Sequence, residues 1–131
     1  MPDAVFLGWQ TRDQLASLYL GLDLFIFPSR FDTFGNVLLE AMTHGMPAVA
    51  YNCKGPKDIL EHGLSGYLTE DVNGMAEAVV DFFSGTADRR VMEENARKRA
   101  AQFQAEPIMR QFLADLGLDY PEQVCTEVTV A

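Results

Sequence analysis

Two acids stand eight positions apart in Asp32-Thr33-Phe34-Gly35-Asn36-Val37-Leu38-Leu39-Glu40. The stretch lies between an apolar run, Leu24-Phe25-Ile26-Phe27, that ends in Pro28-Ser29 and the stop Gly45-Met46-Pro47. Glu40 is the unusual residue. Val37, Leu38 and Leu39 precede it and Ala41 and Met42 follow, so the pattern reads as a largely buried helix, in which an unpaired carboxylate is costly. A helical Cβ leans toward the helix N-terminus, which turns Glu40 back over Asn36, while Asp32 stands just ahead of the first turn. Both acids are then expected near one mouth, where free N–H groups around Phe34, Gly35 and Asn36 favour a phosphate. Gly35 lets backbone approach a ligand closely. A phosphate on amides, with carboxylates accepting hydroxyl protons beside it, describes a site for a nucleotide sugar. The plainer alternative is that Asp32 caps the helix and Glu40 pairs with a lysine or arginine elsewhere, since short motifs often match by chance.

These residues need a strand, a tight turn and a helix to position them, the first half of a βαβ unit. Around that centre the chain alternates. Ala4-Val5-Phe6-Leu7 predicts a short strand. Thr11-Arg12-Asp13-Gln14 fits a capping box that opens a helix to about Leu20, with Leu15, Leu18, Tyr19 and Leu22 on one stripe. Strand Leu24–Phe27, the central helix from Asn36 to His44 and strand Ala48–Tyr51 follow, then a short helix opened by Pro56 and strand Gly66–Thr69. Helices are expected over Met75–Ser84 and Asp88–Phe103, and a last one from Pro107 carries Ile108, Met109, Phe112, Leu113 and Leu116. His44 in the last turn of the central helix suits a complement to its C-terminal charge. The order predicts an α/β fold, a Rossmann-like doubly wound parallel sheet of about four strands with flanking helices. Ligands in such sheets sit beyond the strands' carboxyl ends. Residues 1–116 are expected to form the domain and 117–131 a tail.

Composition sets outer limits. The 131 residues are 48% apolar, with a formal charge of 10 − 19 = −9. That supports a packed core and disfavours nucleic acid or an anionic membrane surface as a partner. An anionic ligand must then be met by local amides and nearby cations such as Lys54 and Lys57, although solvated surface lysines are the commoner case. Cys53 and Cys125 give neither a disulfide framework nor a metal spacing, consistent with a reducing cytoplasm. No signal peptide is evident and no apolar run reaches the roughly 18–20 residues of a membrane span. The sequence holds no G-x-G-x-x-G, Walker loop, metal-ligand cluster or Ser-His-Asp set, so no metal is expected.

Several motifs in fixed order give the chain a family likeness: Phe27-Pro28-Ser29, Asp32 through Met42, Gly45-Met46-Pro47-Ala48-Val49-Ala50, Gly55-Pro56-Lys57-Asp58-Ile59 and Gly63-Leu64-Ser65-Gly66-Tyr67-Leu68. From about Val5 to about Phe103 it resembles the C-terminal, donor-binding half of group 1 (family 4) glycosyltransferases of the GT-B fold. The resemblance implies a retaining transfer of a hexosyl group from a GDP- or UDP-linked sugar, a substrate rather than a cofactor, with no metal. It places Asp32 at the first acid, which contacts donor-sugar hydroxyls, and Glu40 at the second, which accepts from the ribose diol. Phe34, Gly35, Asn36, Val37 and Lys54 become substrate-binding positions. The family's usual first acid is glutamate, one methylene longer than Asp32, and Lys54-Gly55 stands where a Gly-Gly pair is usual. The Asp-Thr-Phe-Gly-Asn wording resembles a subset that includes mannosyltransferases. The resemblance also implies an N-terminal domain and a basic Arg and Lys pair ahead of Met1. The isolated chain is therefore expected to bind donor weakly and to be inactive, with its carbohydrate or lipid-linked acceptor held by the missing domain. The parent would be cytoplasmic or peripheral at the inner membrane surface, and a homodimer through the open sheet edge is a further expectation. A catalytically silent α/β interaction module and a GT-B sugar-nucleotide epimerase are the alternatives.

Overall fold

The computed structural model describes residues 3–31, 34–85 and 88–117. They fall into two units, Met1–Ala101 and Gln102–Ala131. In the first unit, helix α1 (Arg12–Gly21) leads into strand β1 (Phe25–Phe27), and α2 (Asn36–Thr43) follows. Next come β2 (Ala48–Tyr51), the single turn α3 (Pro56–Ile59), β3 (Gly66–Thr69), α4 (Val72–Phe83) and α5 (Arg89–Ala101). The second unit's described part is α6 (Ala105–Asp115), on which Ile108 and Phe112 are exposed. Beyond residue 117 the expected tail lies outside the described residues, as does the side chain of Met109.

The three strands are all parallel in the order β1-β2-β3, with Phe25 opposite Ala48 and Ala48 opposite Gly66. Strand β2 is central and buried along its whole length, as the unbroken apolar run Ala48-Val49-Ala50-Tyr51 requires of a strand covered on both faces. Alternate residues divide between two small cores. Phe25 packs with Tyr19, Ala41 and Met46 under α1 and α2. Val49 and Tyr51 pack with Met75 and Ala78 of α4 on the other face. Helices on both faces make the sheet doubly wound. Gly66 is fixed by this packing: a Cβ there would overlap the carbonyl oxygen of Ala48 on the neighbouring strand.

One expectation is corrected. The sheet has three strands among the described residues, because Ala4–Leu7 forms no ladder. Val5 is exposed and Phe6 is 95% exposed, so the segment gains neither a hydrogen-bonding neighbour nor apolar cover, and a strand needs both. Other signals held. Thr11 accepts from the Gln14 amide while the Gln14 side chain accepts from the Thr11 amide, the reciprocal cap its sequence predicts. Helix α4 begins three residues before Met75 because Asp71 caps it, its Oδ1 accepting from the Gly74 amide at 2.8 Å.

Helix α5 closes the unit by packing along α2 and supplying two arginines to helix ends. Arg97 Nη2 donates to the His44 carbonyl, and its guanidinium covers Gly45 so closely that a Cβ there would overlap it. Arg99 donates from Nε to the Ile59 carbonyl at 2.7 Å and from Nη2 to the Asp58 carbonyl at 2.8 Å, satisfying the open end of α3.

Candidate functional site

The turn into α2 is built by a glycine. Gly35 is the N-cap, with φ 85° and ψ 44°, and provides no side-chain cap. An L-residue pays for this left-handed conformation, and a Cβ at Gly35 would also press on Ile59 Cδ1 at 3.3 Å. The chain therefore enters α2 tightly against α3, at the carboxyl edge of the sheet. Phe34 and Val37 are each 42% exposed there, and Asn36 is exposed at the first helical position. Lys54 is exposed in the turn between β2 and α3 on the same edge. Strand-end edges of this kind are where open α/β sheets take ligands.

Glu40 lies one turn farther along α2. Its helix buries Leu38, Ala41 and Met42, and the stripe Asn36, Glu40, His44 turns instead toward α1. Glu40 is half-buried in a cleft of about 280 Å³ lined by Arg12, Asp13, Leu15, Tyr19, Glu40 and His44. Helix α2 joins two parallel strands, so it runs back against them and its N-terminus stands at the carboxyl edge of the sheet. Among the described residues no ion pair or side-chain hydrogen bond engages the Glu40 carboxylate. The helix is less buried than the apolar run implied, which is how a carboxylate is tolerated without a salt bridge. Its charge is felt nearby: burial first, and then the Glu40 carboxylate, push the Tyr19 phenol above its ordinary value of 10.0. His44 caps the C-terminal end of α2. Its Nδ1 lies 2.8 Å from the Glu40 carbonyl and its ring rests on Tyr19, with centroids 5.6 Å apart.

A second cluster joins the ends of all three strands. Arg30 follows β1 and lays its guanidinium over the Tyr51 ring of β2, 3.9 Å from the centroid. It also donates from Nη2 to the Glu70 carbonyl just past β3, at 2.9 Å. Asn52 Nδ2 donates to the Glu70 carboxylate at 2.7 Å, and the Cys53 thiol reaches the Ser29 carbonyl at 3.8 Å. A cavity of about 460 Å³ lies beside this cluster, lined by Phe27, Pro28, Ser29, Arg30, Phe31 and Tyr51.

Phe34, Gly35, Asn36, Val37 and Lys54 thus share one edge, with Glu40 facing the adjoining α1–α2 cleft. Asp32 lies outside the described residues. Sequence reasoning missed Arg12, Tyr19 and Arg30. The Tyr19 stripe was visible as core spacing, but nothing local marks Arg30 as a partner of residues 51 and 70. Among the described residues no group of three His, Cys, Asp or Glu side chains has metal-holding geometry, and no helix is long and apolar enough to cross a membrane.

Comparison with known proteins gives these positions a context. A family model described as glycosyl transferases group 1 matches residues 2–99. A GDP-mannose-dependent alpha-mannosyltransferase of Corynebacterium glutamicum is 38% identical over 73 residues, 56% of this chain and 18% of the relative. An N-acetyl-alpha-D-glucosaminyl L-malate synthase of Bacillus anthracis is 36% identical over 111 residues, 82% of this chain and 29% of the relative. Among solved structures, HepE of Anabaena in complex with UDP superposes with TM-score 0.66 at 30% identity, covering 76% of this chain and 29% of that one. Sucrose-phosphate synthase of Thermosynechococcus elongatus superposes with TM-score 0.74 at 29% identity, covering 86% and 30%. The chain therefore spans less than a third of the length of each of these relatives.

Proposed function

Because this chain belongs to the group 1 glycosyl transferases, we propose that it is the donor-binding part of a retaining hexosyltransferase that uses a nucleoside-diphosphate sugar. The observation that carries the reading is Glu40, a half-buried carboxylate that no described side chain engages, in a cleft beside the glycine-built start of α2. A carboxylate in that position suits a ribose diol, whose two hydroxyls donate and which leaves no buried charge unanswered. The nucleoside half of the donor then occupies the α1–α2 cleft against Arg12, Asp13 and Tyr19. The diphosphate meets the amides at Phe34–Asn36, and Lys54 on the same edge adds a cation. Asp32 and the sugar hydroxyls complete the arrangement. Relatives that are named GDP-mannose-dependent or solved with UDP support a GDP- or UDP-linked donor.

In this reading the chain supplies no nucleophile. Its part in the reaction is to orient the donor and to stabilise charge on the departing diphosphate, whose oxygen is placed to take the acceptor proton. The acceptor, a carbohydrate or lipid-linked group, is met by parts of a longer cytoplasmic protein, and the chain alone turns over nothing. Amide chemical shifts of the full chain titrated with GDP and UDP test this. Shifts confined to Phe34–Asn36 and the α1–α2 cleft are expected, with at least a tenfold loss of affinity in Glu40→Ala, the weight of one or more charge-assisted hydrogen bonds. No shift at millimolar nucleotide would refute the reading.

Strand β1 favours one addition. Its outer edge has no ladder partner among the described residues, and Ile26 is 47% exposed there. Self-association through that edge is the companion proposal, and a monomeric mass by light scattering at high concentration would exclude it.

A further inference from the structure

We propose that Arg30 is a positioning residue for the sugar-diphosphate half of the donor, an inference that rests on the donor-binding reading above. Its guanidinium joins three strand ends in one clasp. The side chain starts just past β1, sets its guanidinium over the Tyr51 ring at the end of β2 and donates to the Glu70 carbonyl just past β3. Both partners are themselves held. Tyr51 is buried in the α4-side core, and Glu70 is tied through its carboxylate to Asn52. The arginine therefore transmits the rigidity of β2 and β3 to a segment that has left the ladder. That segment is two residues ahead of Asp32 and five ahead of the Gly35 turn, the two places where the donor's sugar and diphosphate are proposed to bind. The Cys53 thiol on the Ser29 carbonyl is a weaker second tie on the same segment. A planar group that stacks and donates at once is needed here. A lysine ammonium keeps the charge but is a single point that cannot cover the ring and reach the carbonyl at once.

The geometry separates this role from general stability. Glu40 and the nucleoside cleft are built by α1 and α2, which Arg30 does not touch among the described contacts. Arg30→Ala and Arg30→Lys are therefore expected to weaken a nucleoside-diphosphate sugar about tenfold, the scale of one cation–π or charged hydrogen bond. Uridine and guanosine monophosphates, which lean on the cleft, should bind both variants as they bind the wild type. Calorimetric or chemical-shift titration of the full chain with each ligand reads the split. Equal loss for both ligand classes, or no loss for either, would overturn the positioning role. A wild-type chain that binds no nucleotide overturns the donor reading and this role with it. A ligand-free measurement tests the clasp itself. Backbone order parameters at Ser29–Phe31 should fall from about 0.85 to below about 0.6 in either variant while those of β2 hold. Unchanged order at Ser29–Phe31 means the clasp does not pin the segment.

Discussion

Replacing Gly35 with alanine will separate backbone geometry from every other contribution at the start of α2. With φ 85° and ψ 44°, an alanine there takes a left-handed penalty of about 1–2 kcal/mol. The new Cβ would stand 3.3 Å from Ile59 Cδ1, and Ile59 is fully buried, so the neighbour has little room to yield and about 1 kcal/mol is added. Lower entropy of the unfolded alanine chain returns about 0.4–1 kcal/mol. The net expectation is a loss of about 1–2.5 kcal/mol, or roughly 4–9 °C in Tm for a domain of this size. Gly74→Ala is the internal control. Gly74 lies in α4 outside the left-handed region, and its Cβ would meet Thr69 and Asp71 only at ordinary contact distance, the nearest atom at 3.5 Å. That substitution should stabilise by about 0.5 kcal/mol. Urea unfolding of the two variants beside the wild type, with slopes compared to check that the unfolded state is unchanged, is the assay. A Gly35→Ala midpoint equal to the wild type's, or a Gly74→Ala loss as large as that of Gly35→Ala, would refute the reasoning.

Three further outcomes can be measured. Arg99→Ala should cost about 2–3 kcal/mol, because two carbonyls at the end of α3 lose a charged donor, and Arg99→Lys should recover less than half of it in the same urea assay. Tyr19 and Tyr67 are both raised above 10.0, each by burial first and then by a carboxylate, Glu40 and Asp81 respectively. Their folded values exceed the unfolded one, so the stability they contribute is complete below pH 10 and is lost as pH rises through the folded values. Unfolding midpoints should fall on that alkaline limb. Glu40→Gln should bring the Tyr19 titration, followed by tyrosinate absorbance, back toward the ordinary value without erasing the part due to burial.

Much of the fold was legible because its signals are local. Thr11 with Gln14, the run Ala48–Tyr51 and Pro56 at the head of a short helix each specify an element through nearest neighbours. Ala4–Leu7 misled because strand propensity says nothing about whether a ladder partner is present. At the site, the glycine turn and Lys54's edge were readable from the order of strand, turn and helix. The direction of Glu40 was only half readable. Helical spacing puts it on the Asn36 stripe, but that stripe faces α1 through tertiary packing rather than the open mouth. Arg30 was not readable at all, since its partners lie 21 and 40 positions away and meet it only through the parallel register of Phe27 with Ala50.

The arginines of α5 also constrain how the chain reaches this state. Arg97 answers a carbonyl 53 positions earlier, and Arg99 answers two that lie 40 and 41 positions earlier. During synthesis the ends of α2 and α3 must therefore wait, incompletely capped, until α5 has left the ribosome. High sequence separation of this kind slows folding and lengthens the exposure of half-built intermediates. Shortening the chain before Ala101 should accordingly yield a species that collapses but does not lock, whatever its intact helix propensities.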